Sequence, residues 1–161
     1  MREIRVGIGD YAVGRERGII STYGLGSCVG ITLYDRATKV GGLLHALLPE
    51  ASRYGNRGNP AKYVDTGLQL LLKDFKRLGG NPVRAEAKLF GGAHMFRGAG
   101  EGLTIGRKNV EVAKRELRRL GIRLVAEDTG GRGGRTIYLD LSTGKVRMRK
   151  VCNGRVIERV Y

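Results

Sequence analysis

The sequence has no tryptophan, three prolines and two cysteines among its 161 residues. Two cysteines are too few for a disulfide framework. They also cannot build a zinc site without several other ligands, and His45 and His94 are the two histidines available. No apolar run approaches the roughly 18 residues of a membrane-spanning helix, and the N-terminal residues do not form a secretory signal. These absences predict a cytoplasmic protein without cofactor, metal or membrane insertion.

Glycine and positive charge are abundant instead. The chain has 27 glycines, and 30 Lys and Arg residues against 15 Asp and Glu residues give a net charge of +15. Its length is that of one domain with a core of its own, so we predict a single domain over residues 1–161. Such a charge is also typical of a nucleic-acid-binding module without enzymatic activity. This alternative has little support, because aromatic residues make up only 6% of the chain.

The hydrophobic pattern predicts a mixed α and β protein. Apolar or alternating stretches predict strands at residues 4–8, 19–23, 29–34, 40–48, 84–90, 122–126, 136–141 and 145–150. One helix is predicted from Asn59 and Pro60 to Gly79, and a second from about Arg107 to Leu120. Turns at 142–144 and 153–154 predict two hairpins. Two helices and about eight strands favour an α+β fold in layers, with a mixed or antiparallel sheet.

Two residue types with nucleophile and base chemistry interrupt this pattern. Cys28 ends the turn Gly24-Leu25-Gly26-Ser27-Cys28, where glycine allows a tight backbone and Gly26 would line a site. Most free cysteines are small buried residues, so Cys28 alone does not decide the question. His45 lies within the apolar stretch 43–48. It is either a core histidine with a backbone partner or part of a site.

The spacing of these two residues favours a pair. A hairpin whose loop is centred between Arg36 and Ala37 would place Cys28 directly opposite His45 on one face. A neighbouring imidazolium would lower the pKa of the thiol, and the histidine would protonate a leaving group. The pair therefore predicts acyl transfer at an amide or ester.

Neighbouring residues complete the predicted site. Thr22, just before the glycine turn, is the candidate that orients the imidazole. The backbone N–H groups of Ser27 and Cys28 would form an oxyanion site. Gly91 and Gly92 follow a predicted strand, and they either line the site or allow close backbone packing.

Six separate motifs, in order over roughly residues 3–150, resemble the CheD family of chemoreceptor glutamine deamidases. They are Gly24-Leu25-Gly26-Ser27-Cys28; Gly41-Gly42 with His45 and Leu48-Pro49; Tyr63-Val64-Asp65; Lys88-Leu89-Phe90-Gly91-Gly92-Ala93 with Met95-Phe96; Ile105-Gly106-Arg107 with Asn109-Val110; and Glu127-Asp128-Thr129-Gly130-Gly131 with Gly134-Arg135. His94 departs from the pattern, since a smaller residue is expected there.

The resemblance implies hydrolysis of selected receptor glutamine amides to glutamates through a thioester. The family's nucleophile, base and third triad residue correspond to Cys28, His45 and Thr22. It also implies a layered α/β sandwich related to cysteine-dependent deamidating toxins. The implied partners are the cytoplasmic helices of chemoreceptors and a CheC-type phosphatase, and we expect a monomer that does not bind nucleic acid.

The basic face of the second predicted helix has two interpretations. It carries Lys108, Lys114, Arg115, Arg118 and Arg119. Such a face is most often solvated, but positive charge also steers association with acidic partners. Receptor adaptation helices rich in Glu and Gln, which the resemblance implies, are acidic.

Overall fold

The computed structural model describes residues 2–55, 58–94 and 101–161. The strands are Glu3–Val6 (β1), Asp10–Arg15 (β2), Ile19–Leu25 (β3), Val29–Asp35 (β4), Val40–Ala46 (β5), Glu86–Gly91 (β6), Arg123–Thr129 (β7), Arg135–Asp140 (β8), Val146–Cys152 (β9) and Arg155–Val160 (β10). The helices are Ala51–Tyr54 (α1), Val64–Arg77 (α2) and Glu101–Arg119 (α3), with a 3₁₀ turn at Pro60–Lys62. Met95 and Phe96, which belong to one of the motifs, lie outside the described residues.

The strands form two five-stranded sheets. The first sheet has the order β1-β3-β8-β9-β10, and the second has the order β2-β5-β4-β6-β7. The pairs β1/β3 and β6/β7 are parallel, and the other neighbouring strands are antiparallel. The predicted layered α+β fold is therefore confirmed.

Two layers of apolar side chains hold the sheets and helices together. One face of the second sheet packs against α2 and α3, with Leu68, Phe75 and Leu117 in this layer. Its other face packs against the first sheet, with Ile20 and Phe90 in that layer. Because both faces of the second sheet are covered, β4 and β5 are buried along their whole length.

Several predicted boundaries change in the structure. Strand β2 and helix α1 were not predicted from the pattern. The Oδ1 of Asn59 accepts a hydrogen bond from Ala61 N–H at 3.0 Å, so it caps the 3₁₀ turn and not α2 itself. The predicted start of the second helix at Arg107 is wrong, because α3 runs through Gly106, a residue that disfavours helix. A Cβ at Gly106 would crowd the backbone of Gly92, and this close approach explains the glycine.

The two predicted hairpins are present. Strands β8 and β9 pair around residues 141–145, and β9 and β10 pair around Asn153 and Gly154. These two residues have φ values of 52° and 75°, as a tight two-residue hairpin turn requires. None of the helices in the described ranges is both long and apolar enough to cross a membrane.

Candidate active site

The hairpin of β4 and β5 has a different register from the predicted one. Gly30, not Cys28, lies opposite His45, so the predicted loop centre between residues 36 and 37 is wrong by one position. The loop comprises residues 36–39. Asp35 stabilises it, because its carboxylate accepts from Ala37 N–H at 3.0 Å and its carbonyl accepts from Lys39 N–H at 2.8 Å.

The new register keeps Cys28 and His45 on one side of the sheet. A two-residue shift preserves the face, because side chains alternate along a strand. A Cβ at Gly30 would meet Leu25 and Ile137 of the first sheet, so the face that carries His45 points into the layer between the sheets. Cys28 is buried in the same layer. It is therefore a diagonal neighbour of His45 and not its directly opposed partner.

Thr22 and His45 meet across this layer. Thr22 lies on β3 of the first sheet, and its Oγ1 is 2.6 Å from His45 Nδ1. The same hydroxyl donates to the Val6 carbonyl at 2.7 Å. A hydroxyl has one hydrogen to donate, so the hydrogen between Thr22 and His45 must belong to Nδ1. This leaves His45 Nε2 unprotonated, as an acceptor.

The Nε2 atom of His45 is buried and has no hydrogen-bond partner in the described part of the chain. Burial lowers the pKa of His45 to about 4. Burial also raises the pKa of the Cys28 thiol, opposed by a hydrogen bond from the residue's own backbone N–H. At neutral pH the two groups are therefore a neutral imidazole and a neutral thiol. The expected lowering of the Cys28 pKa by an imidazolium is not seen, because burial keeps His45 neutral and raises the pKa of the thiol.

The loop before Cys28 is held through its carbonyl groups. Three successive carbonyls accept hydrogen bonds at 2.8 Å: that of Gly26 from Ala93 N–H, that of Ser27 from Asn109 Nδ2, and that of Cys28 from Gly92 N–H. The N–H groups of Ser27 and Cys28 donate to no other residue among those described. The Cys28 N–H is directed at the residue's own sulfur, so an oxygen bound beside that sulfur would share or replace this contact.

Gly91 and Gly92 allow the end of β6 to approach this loop. Their φ values are 102° and 62°, which glycine adopts without strain. A Cβ at Gly91 would overlap the carbonyl oxygen of Cys28. Of their two predicted roles, close backbone packing is the one that this geometry supports directly.

Asn109 is the residue of the site that sequence reasoning missed. The residue belongs to a motif, but no role was predicted for it. It lies three residues before Val112 and four before Ala113, which are buried against the second sheet, so it falls within the apolar stripe of α3. Its side chain is fully buried. A polar residue in such a stripe is the signal that would have identified it.

The basic face of α3 is partly neutralised. Three of its cations form salt bridges: Lys114 with Glu127 at 3.0 Å, Arg115 with Glu50 at 3.3 Å, and Arg119 with Glu116 at 2.8 Å. The pairs of Lys114 and Arg115 lie at the partly exposed surface and add little stability, whereas the Glu116 side chain is buried. A docking role for this face stays a prediction.

Comparison with known proteins gives a consistent result. Residues 47–150 match the family model described as CheD chemotactic sensory transduction. A protein of Pyrococcus horikoshii named probable chemoreceptor glutamine deamidase CheD is 79% identical over 100% of both chains. One of Thermotoga maritima, named chemoreceptor glutamine deamidase CheD, is 43% identical over 95% of each chain.

A solved structure shares the fold. It is that of a Neisseria meningitidis protein assigned to the family model DUF152. The alignment has a TM-score of 0.54 and 15% identity, and it covers 81% of this chain and 64% of the other. At this identity the likeness concerns the arrangement of strands and helices alone.

Proposed function

The chain belongs to the CheD family, and we propose on this basis that it hydrolyses the side-chain amide of selected chemoreceptor glutamines to glutamate. The names of its relatives give the substrate class. The observation that carries the mechanism is the buried His45 Nε2, which has no partner in the described ranges and lies on the face shared with Cys28.

The first half of the reaction begins with both groups neutral. Nε2 of His45 takes the proton of the Cys28 thiol as the sulfur attacks the amide carbon of the glutamine. A carbon–sulfur bond forms, and the electron pair of the carbonyl π bond moves to its oxygen. His45 then gives the proton to the amide nitrogen, the carbon–nitrogen bond breaks, and ammonia leaves a thioester on Cys28.

The second half uses the same base. Nε2 takes a proton from water, whose oxygen attacks the thioester carbon. The carbon–sulfur bond breaks, the proton passes to the sulfur, and glutamate is released. Thr22 keeps the hydrogen of the imidazole on Nδ1 throughout, so that Nε2 stays the reacting nitrogen.

The oxygen carries negative charge in both tetrahedral intermediates. We assign the backbone N–H groups of Ser27 and Cys28 as the donors that stabilise it. This assignment is supported by the hydrogen bonds that the carbonyl groups of the same loop accept, because they fix the orientation of its peptide units. Gly91 and Gly92 shape the wall of this loop by allowing the backbones to pack closely, and Gly26 lines it through its carbonyl, which accepts from Ala93 N–H.

The proposal includes the partners implied by the resemblance. These are chemoreceptor cytoplasmic helices as substrate, which places the activity in the cytoplasm, and a CheC-type phosphatase. The protein acts as a monomer and does not bind nucleic acid. Size-exclusion chromatography of the protein alone and mixed with such a phosphatase tests the monomer and the complex together.

Mass spectrometry of a receptor cytoplasmic fragment tests the activity. The native protein should convert glutamine peptides to glutamate, and Cys28→Ala should not. Cys152→Ala is the matched control, because Cys152 is the other free cysteine and lies at the end of β9. Turnover by Cys28→Ala would eliminate Cys28 as the nucleophile. Absence of conversion by the native protein, together with salt-sensitive binding to DNA, would favour the nucleic-acid-binding alternative.

A further inference from the structure

Asn109 has two hydrogen-bond donors, and both point at the catalytic segments. Its Nδ2 donates to the Ser27 carbonyl at 2.8 Å and to the Leu47 carbonyl at 3.1 Å. A side-chain amide has two N–H bonds, so its donor capacity is fully used. Ser27 directly precedes Cys28, and Leu47 follows His45 by two residues. One amide therefore links the segment of the nucleophile to the segment of the base.

The side-chain amide of Asn109 is only partly hydrogen-bonded. The Oδ1 of Asn109 is buried and has no hydrogen-bond partner among residues 2–55, 58–94 and 101–161. A buried unpaired acceptor is destabilising, and asparagine is a poor helix former. Packing and helix propensity would both favour an apolar residue here. The feature that distinguishes asparagine from such a residue is its pair of donors.

The bond to Ser27 also sets the direction of the Cys28 N–H group. The Ser27 carbonyl and the Cys28 N–H belong to one planar peptide unit, in which they point in opposite directions. Holding the carbonyl towards α3 therefore holds the N–H away from it, on the side of the Cys28 sulfur. Among the described residues, Asn109 is the one side chain that bonds a carbonyl of residues 26–28.

We infer that Asn109 is a positioning residue that aligns the Cys28 N–H with the oxygen of the tetrahedral intermediate. This inference rests on the proposed thiol mechanism, and it makes a more specific claim. Asn109 acts on the stabilisation of the oxyanion and not on the reactivity of the sulfur. The two effects separate experimentally, because alkylation of a thiol by iodoacetamide passes through no oxyanion, whereas addition of a thiol to an aldehyde forms one.

The test uses butanal, whose four carbons correspond to Cα and the three side-chain carbons of glutamine, with hydrogen in place of the amide nitrogen. Its reversible adduct with Cys28 is measured as protection against iodoacetamide, followed by mass spectrometry of the Cys28 peptide, with Cys152 as the internal reference. Asn109→Leu is the main variant, since leucine has a similar size and no donor. Val112→Ala is the matched control, because Val112 lies on the same helix, is buried in the core and makes no hydrogen bond through its side chain.

We expect Asn109→Leu to weaken the binding of butanal by about 10²-fold, as for loss of one oxyanion donor. Its iodoacetamide rate should stay within about twofold of the native rate, a margin small against the 10²-fold effect. In the deamidation assay kcat should fall to a similar extent, with KM unchanged. Val112→Ala should leave these values unchanged. If Asn109→Leu does not fold, Asn109→Ala removes the same donors, adds no charge and favours the helix.

Two results would overturn the inference. One is an Asn109 variant that binds butanal as the native protein does. The other is a variant that loses butanal binding and iodoacetamide reactivity to the same extent, because this indicates a displaced sulfur. A native protein that binds butanal at Cys28 but converts no receptor glutamine would refute the proposed function. The role of Asn109 in holding the N–H would then still be decided by the butanal affinity of the Asn109 variant.

Discussion

The buried imidazole of His45 should make the protein less stable in acid. Its pKa falls from the ordinary value of 6.5 to about 4 because burial disfavours the charged ring. Between these two values the unfolded chain binds a proton that the folded chain does not bind. Lowering the pH therefore favours the unfolded state, with a slope of about 1.4 kcal/mol per pH unit. From pH 7 to pH 4 the loss in the free energy of unfolding is about 3 kcal/mol.

Guanidinium unfolding of the native protein and of His45→Asn at several pH values measures this loss. The comparison is necessary because carboxylates with lowered pKa, such as that of Asp128, also destabilise the protein in acid. Asparagine does not titrate and keeps an N–H group for Thr22. The stability of the native protein relative to the variant should fall by about 3 kcal/mol. Parallel curves for the two proteins would refute the reasoning, as would an NMR titration of the His45 ring with a midpoint near 6.5.

Other perturbations test the rest of the site. Thr22→Val removes the acceptor of His45 Nδ1, and kcat should fall by about 10²-fold in the deamidation assay; an unchanged kcat would contradict the assigned role. Gly91→Ala should lower the free energy of unfolding by about 2 kcal/mol or more, because its φ is 102° and its Cβ would overlap the Cys28 carbonyl oxygen. Gly134→Ala, which has room for a Cβ, should cost far less, and equal losses in the two variants would argue against this explanation. The alkylation rate of Cys28 by iodoacetamide should still rise with pH above the ordinary thiol pKa of about 8.5, since burial raises the pKa; a plateau at neutral pH would show a preformed thiolate. Finally, kcat/KM for an acidic receptor fragment should fall as salt rises, since the net charge is +15, and a flat response would count against electrostatic steering.

Local pattern was sufficient for the elements around the site. The runs of β-branched and apolar residues predicted β3, β4 and β5 to within two residues at each end. Asn153 and Gly154 predicted their turn because few other residues adopt a positive φ. These features depend on neighbours in sequence, and no distant contact was needed to infer them.

Contacts between distant segments were not predictable in the same way. The β4–β5 register depends on Asp35, whose carboxylate also bonds Arg84 and Asn81 from another part of the chain. The pKa directions of Cys28 and His45 depend on how deeply the first sheet buries them, which their spacing does not show. A hairpin argument alone therefore reached the correct face with the wrong pairing.

The hydrogen bond between Thr22 and His45 joins two different sheets, and this affects the order in which the protein gains its activity. Residues 22–45 contain the complete proposed triad and would leave the ribosome before β8. The strand of Thr22, however, pairs with β8, which begins at Arg135, ninety residues after His45. A nascent or truncated chain without β8 would contain every proposed catalytic residue but would not hold Thr22 against the imidazole. The proposed triad is thus completed only after β8 has been synthesised, long after its three residues.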